Sequence, residues 1–279
     1  MRKKFLTAAL TTALVFSLTA CTQNTAEKTE ITLFAAKSLN TVMEELIARY
    51  QEDQPNVTVK GSYDSSGTLM AQIREGAICD VFFSADQKQM DILQNDDGLV
   101  VKGTRHNVVA NQVCVVTQTG SSTAVTGLGN LGIAASLAIA DGSVPVGNYT
   151  RKALLASGVL PMAEDASAIT TEEISDALGG VEINECANVG MVTSAISEGA
   201  NEAGTVYKSD TYGFEDRIKI LEEVSSRLTG EVIYPAAQIV NKGADEAKQA
   251  AAADFVDFLI SDEAKVIFEE YYFDTNVTD

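Results

Sequence analysis

Short strand-like runs alternate with amphipathic helical runs along most of the chain. The first pair illustrates the pattern: residues 31–35 predict a strand, and apolar residues then recur at helical spacing from Leu39 to Tyr50. Such alternation is typical of an α/β fold with a largely parallel sheet. Because the pattern restarts near Asn107 with no Pro- or Gly-rich linker between the halves, we predict two α/β lobes joined by short crossovers.

The remaining predicted elements follow the same alternation. Strand-like or extended runs occur at residues 57–63, 80–84, 112–116, 137–140, 205–207 and 232–240. Helical patterns occur from residue 86 and at residues 68–75, 148–158, 189–199, 245–260 and 263–271. From their order we predict that the chain crosses between the lobes twice. The first lobe should hold residues 30–108 and 237–279, and the second lobe should hold residues 109–236.

The first twenty residues have the composition of a secretory signal peptide. Three basic residues at positions 2–4 precede an apolar stretch, residues 5–18, that is too short to span a bilayer as a permanent helix. The Leu-Thr-Ala-Cys sequence that ends at Cys21 resembles the lipobox of bacterial lipoproteins, in which this cysteine is lipidated. We therefore predict a lipid anchor on Cys21 and a polar tether to residue 29. The protein would be held on the outer face of the cytoplasmic membrane or in the periplasm. An ordinary signal peptide beside a chance cysteine is the alternative.

The chain is strongly acidic, with a formal net charge of −19. Removal of residues 1–20, which hold three basic and no acidic residues, makes the net charge −22. Such a surface repels nucleic acid and anionic lipid, which argues against a polyanion as partner. Cys79, Cys114 and Cys186 remain after Cys21; they lack the spacing of a metal site, and an odd number cannot all pair internally. We predict that these three cysteines are free thiols.

Serine-containing turns follow two of the predicted strands. Residues 36–38 follow the first strand, residues 64–68 follow the second, and a Gly-flanked turn at residues 142–147 precedes a helix in the second half. In a parallel sheet these turns lie at the carboxyl edge of the strands, where ligands bind. Helix N-termini there suit an anion, and serine adds a neutral donor, although each serine alone could be a helix cap. Together the turns predict a cleft for an oxyanion between the halves.

Five segments, in chain order, resemble motifs of the molybdate-binding proteins of ABC importers. They are residues 34–39 (FAAKSL), 62–69 (SYDSSGTL), 80–86 (DVFFSAD), 144–149 (VPVGNY) and 204–210 (GTVYKSD). The resemblance implies a two-lobed periplasmic-binding-protein fold of type II, with the ligand cleft between the lobes. It also implies a monomer that captures molybdate or tungstate, needs no cofactor, and delivers the anion to the permease and ATPase subunits of an ABC importer.

The family holds a tetrahedral dianion with two serines, one tyrosine and backbone amides. Carried over position by position, the resemblance assigns these groups to Ser38, Ser66, Val146, Val189 and Tyr207. The two valines would contribute backbone N–H groups, and molybdenum would be present only as bound molybdate. The sequence departs from the family at Lys37, where a small residue is usual, at Gly67, where a third serine is usual, and at Val146, where alanine is usual.

Other classes of function fit the sequence less well. His106 is the only histidine, so a Ser-His-Asp triad would need it, and it lies near the predicted crossover rather than beside a serine turn. The sequence contains no Walker or G-x-G-x-x-G motif, and the matched turns lack the histidines and clustered carboxylates of a metal-ion receptor. We therefore predict that the protein is not an enzyme. A binding protein for sulfate, phosphate or an organic anion stays open as the alternative, and Asp64 could accept a hydrogen bond from protonated phosphate.

Overall fold

The computed structural model describes residues 28–279. The predicted signal peptide, the lipid anchor at Cys21 and most of the tether lie outside the described residues. Within residues 28–279, ten strands form two five-stranded sheets. The first sheet contains β1 (Thr29–Ala36), β2 (Val57–Asp64), β3 (Val81–Phe83), β4 (His106–Asn111) and β10 (Val232–Gln238), in the order β2-β1-β3-β10-β4. The second sheet contains β5 (Val113–Gln118), β6 (Ser136–Ala140), β7 (Glu182–Cys186), β8 (Ala203–Tyr207) and β9 (Ile218–Glu223), in the order β7-β6-β8-β5-β9.

Helices cover both sheets, which confirms the predicted α/β class. They are α1 (Asn40–Asp53), α2 (Ser66–Arg74), α3 (Gln87–Asp91), α4 (Pro145–Ala156), α5 (Thr171–Ala177), α6 (Val189–Ser197), α7 (Ser226–Thr229), α8 (Glu246–Leu259) and α9 (Asp262–Glu270). The helical stripe predicted for α1 is buried, and its last member, Tyr50, packs edge-on against Phe255 of α8 with ring centroids 4.9 Å apart. The helix therefore forms because its apolar side chains fall on one face that the rest of the lobe covers.

Strand register explains why the turns named above meet. β1 runs parallel to β2, and Ala36 pairs with Asp64 at their carboxyl ends. β6 runs parallel to β7, and Ala140 pairs with Cys186 at theirs. Each lobe therefore presents two neighbouring turns at the carboxyl edge of parallel strands, as expected for a ligand site in an α/β sheet. Both sheets are mixed rather than fully parallel. One strand in each, β10 in the first sheet and β5 in the second, runs antiparallel to both of its neighbours.

The chain passes between the sheets twice. The first passage lies between Asn111, the end of β4, and Val113, the start of β5. The second lies between Glu223, the end of β9, and Val232, the start of β10. Residues 109–111 and 232–236, which the predicted lobe limits assign to the second lobe, pair within the first sheet. The exact lobe limits of 108 and 237 stay a prediction.

The three described cysteines are buried and free, as predicted. Cys79 belongs to a small apolar cluster beneath α2, together with Phe34, Leu69 and Phe82. Cys114 and Cys186 lie in the main core, which continues through both lobes. Burial raises the pKa of the Cys114 thiol to about 12, so the thiol stays protonated and behaves as a small apolar side chain.

The sequence did not predict β4, β7, β9 or α5. All three strands lie at sheet edges, where only part of the strand is buried and the apolar pattern is weak. β7, with the sequence EINEC, buries only Cys186 fully. In addition, α4 begins at Pro145 rather than near Asn148, because proline suits the first helical position, where an N–H would have no acceptor.

Candidate functional site

All five residues predicted to bind the anion line one small cavity between the lobes. Its lining comprises Ala36, Lys37, Ser38, Ser65, Ser66, Ala85, Val144, Pro145, Val146, Val189 and Tyr207. Each of the five predicted residues is buried. Two come from the first lobe and three from the second, so the cavity exists only where the lobes meet.

Ser65 and Ser66 have different roles although they are adjacent. Ser65 is the N-cap of α2, and its Oγ accepts a hydrogen bond from the backbone N–H of Thr68 at 3.1 Å. Ser66 is fully buried, and its Oγ accepts a hydrogen bond from the backbone N–H of Ala85 at 2.9 Å. Because Ala85 uses an acceptor site of this oxygen, the Ser66 hydroxyl proton is available to a group in the cavity.

Two helix N-termini in the second lobe border the same cavity. Val146 follows Pro145 in the first turn of α4, and Val189 is the first residue of α6. The N-cap of α6 is Asn188, whose side chain accepts a hydrogen bond from the backbone N–H of Met191 at 3.1 Å. First-turn N–H groups have no acceptor within their own helix and carry the positive end of the helix dipole. The N-termini of α2, α4 and α6 therefore favour negative charge in the cavity.

Tyr207, the last residue of β8, supplies a hydroxyl that lacks a partner. The side chain is 1% exposed, and its Oη makes no hydrogen bond to any other described residue. Burial raises its pKa well above the ordinary value, so the phenol remains a donor. A buried donor without an acceptor costs about 1–3 kcal/mol. An acceptor in the cavity would remove this cost.

Ser38 lies on the short 3-10 helix Lys37–Leu39 that follows β1. Its Oγ is 2.9 Å from the Oη of Tyr234, a buried residue of β10. Lys37, which departs from the family pattern, points across the cleft: a Cβ atom on Gly190 of α6 would lie 3.0 Å from its Cε. The lysine stem therefore covers the N-terminal turn of α6 from the other lobe.

Arg151, one turn beyond Gly147 on α4, is a charged residue that the sequence reading missed. It is fully buried and donates hydrogen bonds to the carbonyl oxygens of Ile169 at 2.7 Å, Ala140 at 2.8 Å and Gly147 at 3.0 Å. Its Nη2 has no partner among residues 28–279. The segments that resemble the molybdate-binding proteins contain no arginine. Arg151 lies four residues after Gly147, so helical spacing from that segment would have indicated it. Its positive charge lies directly behind the N-terminus of α4.

Asp210 is a titratable group close to the cavity. Its Oδ2 accepts a hydrogen bond from the backbone N–H of Tyr207 at 2.9 Å. The residue as a whole is partly accessible, but its carboxyl group is enclosed, and this burial raises the pKa of Asp210 to about 7. The turn after β8 therefore carries a carboxyl group that is neutral under mildly acidic conditions.

The two lobes touch across the cleft, so the structure is in a closed form. Asn188 donates to Asp64 at 3.1 Å, and Asn148 donates to Asp86 at 3.2 Å. Asp64 also accepts from the backbone N–H of Ser65 at 2.8 Å, so it forms a turn and an interlobe bond at once. His106 lies elsewhere, with its Nδ1 2.9 Å from a carboxylate oxygen of Asp279 and neither serine beside it.

Comparison with known proteins identifies the family. The model of the family described as bacterial extracellular solute-binding protein matches residues 31–274. YvgL of Bacillus subtilis, a provisional ABC transporter substrate-binding lipoprotein, is 29% identical over 88% of this chain and 87% of YvgL. The molybdate-binding protein ModA of Escherichia coli is 30% identical over 89% of this chain and 90% of ModA.

Solved structures share the architecture. The periplasmic molybdate-binding protein of Azotobacter vinelandii has a TM-score of 0.71 at 21% identity and covers 89% of this chain and 99% of its own. The sulfate-binding protein SubI of Mycobacterium tuberculosis has a TM-score of 0.69 at 16% identity and covers 88% of this chain and 86% of its own. At these identities the likeness establishes the two-lobed fold alone. With the family model matched from strand β1 to the C-terminal segment, the chain belongs to the bacterial extracellular solute-binding proteins.

Proposed function

We propose that the protein captures molybdate or tungstate in the interlobe cavity and delivers it to an ABC importer. The observation that carries the proposal is the buried hydroxyl of Tyr207, which has no partner in the described chain and faces the same cavity as Ser38 and Ser66. The first turns of α4 and α6 add backbone N–H groups at Val146 and Val189. The 30% identity to E. coli ModA supports molybdate as the cargo.

The energetics fit neutral donors. Transfer of a dianion into a dry site costs several kcal/mol per charge. Three hydroxyls and two amides, at about 1.5–3 kcal/mol each, contribute about 8–15 kcal/mol gross. The N-termini of three helices and the buried charge of Arg151 add to this total. Neutral donors and helix N-termini therefore offset the cost of desolvation without an arginine fork at the anion.

Selectivity follows from the donor character and size of the cavity. A protonated phosphate would turn its own O–H toward another donor, and this unpaired contact disfavours it. Sulfate has the charge and shape of molybdate but shorter bonds, so the cage must reject it by size. Sulfate is therefore the alternative cargo, because it matches molybdate in charge and in tetrahedral shape.

The wider role is part of the same proposal. The protein would act as a monomer without catalytic activity or cofactor, anchored through Cys21, and it would dock on a permease whose ATPase subunit drives import. YvgL, a related lipoprotein, supports the anchor. Among the helices of residues 28–279, none is long and apolar enough to cross a membrane.

Isothermal titration calorimetry of ligand-free residues 28–279 tests the cargo. Molybdate and tungstate should each bind one to one with micromolar or tighter affinity, and sulfate and phosphate should bind at least about 100-fold more weakly. Calorimetry suits this chain because it lacks tryptophan. Tight sulfate or phosphate binding would replace the proposed cargo with the alternative. Absence of heat with all four anions would contradict the proposed function itself.

A further inference from the structure

The buried side chain of Tyr234 and the half-buried side chain of Asn111 lie behind Ser38, outside the lining of the cavity. The Oη of Tyr234 is 2.9 Å from the Oγ of Ser38, and the Nδ2 of Asn111 donates to the same Oη at 3.2 Å. We propose that Tyr234 and Asn111 are positioning residues that hold the Ser38 hydroxyl as a donor toward the bound anion. In this way they would set the selectivity of the cavity among oxyanions. The inference rests on the proposed function and extends it to residues that do not touch the anion.

Asn111 sets the direction of the hydrogen bonds that lead to Ser38. Its Oδ1 accepts from the backbone N–H of Gln112 at 2.9 Å, and a backbone N–H can only donate. The other end of the amide, Nδ2, must therefore be the donor that faces Tyr234. The same Nδ2 also donates to the Oγ of Ser209 at 2.8 Å. Contacts on both sides thus fix the orientation of the Asn111 amide.

The chain then continues through Tyr234 to Ser38. A phenol has one proton to donate. Because Asn111 already donates to Tyr234, the Tyr234 proton has one recorded acceptor left, the Oγ of Ser38. The opposite arrangement would leave a buried O–H unpaired, at a cost of about 1–3 kcal/mol. Ser38, as acceptor, then keeps its own proton available for an anion in the cavity.

The position of Tyr234 links this arrangement to both lobes. Its side chain is 0% exposed, and its ring packs edge-on against Tyr207 with centroids 5.7 Å apart. Asn111 ends the last strand before the first crossover, and Tyr234 lies in the first strand after the second crossover. Burial raises the pKa of Tyr234 well above the ordinary value, so the phenol keeps its proton. The two residues that orient the Ser38 hydroxyl therefore lie in the strands next to the two crossovers.

The consequence is a cavity in which both serine hydroxyls keep their protons for the ligand. The Oγ of Ser66 already accepts from the N–H of Ala85, and the Oγ of Ser38 would accept from Tyr234 in the same way, so each proton is left to donate into the cavity. A fully deprotonated dianion satisfies such donors, whereas a protonated anion does not. Without the Tyr234 hydroxyl, the Ser38 hydroxyl could rotate and accept a hydrogen bond from the O–H of hydrogen phosphate. We call the hydrogen-bond chain from Asn111 through Tyr234 to Ser38 the relay. Loss of the relay should therefore change the selectivity for molybdate over phosphate as well as the affinity for molybdate.

The first test replaces Tyr234→Phe, with Tyr50→Phe as the matched control. Tyr50 is also a buried hydroxyl with a side-chain acceptor, Asp254 at 2.8 Å, but it lies away from the cavity. We expect Tyr234→Phe to weaken molybdate binding about 10-fold and to narrow the preference for molybdate over phosphate. Tyr50→Phe should leave both quantities within about two-fold of wild type. Wild-type affinity and selectivity in a folded Tyr234→Phe variant would overturn the proposal.

A second test reverses the direction of the hydrogen bonds in the relay. In Asn111→Asp, the carboxylate can only accept, so Tyr234 would donate to it and present lone pairs to Ser38. Ser38 would then donate to Tyr234 and turn its own lone pairs toward the anion. The added negative charge also repels the anion, so the substitution is measured in both the wild-type and the Tyr234→Phe backgrounds. We expect the loss of affinity to be at least about five-fold larger in the wild-type background. Equal losses in the two backgrounds would overturn the proposal.

The two tests separate this inference from the proposed function. The wild-type protein is titrated first with molybdate, tungstate, sulfate and phosphate, and the variants are compared on the dianion that binds most tightly. A wild-type protein that binds none of them contradicts both proposals. If wild type binds and the variants match it, only the relay is overturned. Should Tyr234→Phe fail to fold, the ratio of molybdate affinity to hydrogen phosphate affinity is compared between Asn111→Asp and Asn111→Ala. Charge repulsion acts on both dianions and cancels in this ratio, so the relay predicts a smaller ratio for the aspartate variant, and equal ratios would overturn the proposal.

Discussion

At the residue scale, the cavity depends on three hydroxyl groups whose protons are available to a ligand. Ser66 is held by a backbone N–H, Ser38 lies against Tyr234, and Tyr207 has no described partner. Two adjacent residues in the sequence have different roles at this cavity. Ser65 and Ser66 both border the cavity, but the Ser65 hydroxyl caps α2 and contacts Thr68, whereas the Ser66 hydroxyl keeps its proton for the cavity.

These adjacent serines make a matched pair of variants. Ser66→Ala removes a donor to the anion, and we expect about 10-fold weaker molybdate binding. Ser65→Ala removes an N-cap, and we expect a loss of about 1 kcal/mol in the free energy of unfolding, with affinity nearly unchanged. Calorimetry and urea unfolding measure the two quantities. If both variants lost affinity equally, or if neither Ser66→Ala nor Ser38→Ala lost any, the assignment of the site would be wrong.

Asp210 should make stability depend on pH. Its pKa is about 7 in the folded protein against an ordinary 3.8, so the folded state holds the proton more tightly than the unfolded state. The resulting stability is fully present below about pH 4 and is lost as pH rises through about 7. Asp210→Asn keeps an acceptor for Tyr207 but does not titrate.

The test compares the free energy of unfolding of wild type and Asp210→Asn between pH 4 and pH 8. The advantage of the variant should grow with pH across this window and level off above about pH 7. The comparison cancels the titration of the other carboxylates, which both proteins share. A difference that stays constant with pH would show that the folded pKa of Asp210 is not raised.

At the scale of elements, prediction from sequence succeeded where a strand is buried and a helix is amphipathic. The central strands β1 and β6 and the helix α1 carry strong apolar patterns, while the missed strands β4, β7 and β9 are edges. The motifs located the serines and Tyr207. They could not reveal Tyr234 or Asn111, because these residues act through Ser38. Tyr234 is also 196 residues from Ser38 in the chain, and only strand pairing brings them together.

The N-terminus of α2 must come very close to the second lobe. A Cβ atom on Gly67 would lie 2.7 Å from the backbone carbonyl oxygen of Ser143, so the glycine at this position, where the family usually has serine, permits the closed form. We expect Gly67→Ala to weaken anion binding about 10-fold or more without lowering the stability of the unliganded protein, since alanine favours a helix. Gly129→Ala, at a glycine with open space around it, is the control. Full affinity in Gly67→Ala would mean that closure tolerates the added methyl group.

Arg151 ties α4 to its surroundings through three carbonyl oxygens. Arg151→Met would remove three buried hydrogen bonds from a charged donor, and we expect the free energy of unfolding to fall by about 3 kcal/mol or more. Arg74→Met, which removes a half-exposed arginine paired with Asp97, should cost much less. Urea unfolding of both variants gives the comparison. Similar losses would contradict a structural role for the buried guanidinium group.

At the scale of the whole molecule, two similar sheets are joined by two crossovers and meet at one cavity. The contacts of Asn188 with Asp64 and of Asn148 with Asp86 exist only when the lobes are together. Closure of this kind is a hinge motion about a few residues at element ends, which here are the two crossovers. The anion would supply the acceptors that the donors of both lobes share, and so would favour the closed form.

The most direct test of this account is anomalous diffraction at the molybdenum edge from crystals grown with molybdate. The account predicts one molybdenum atom in the interlobe cavity, with its oxygens about 2.6–3.1 Å from the hydroxyls of Ser38, Ser66 and Tyr207 and from the amides of Val146 and Val189. A molybdenum atom elsewhere, or one in the cavity that leaves the Tyr207 hydroxyl without a partner, would contradict it.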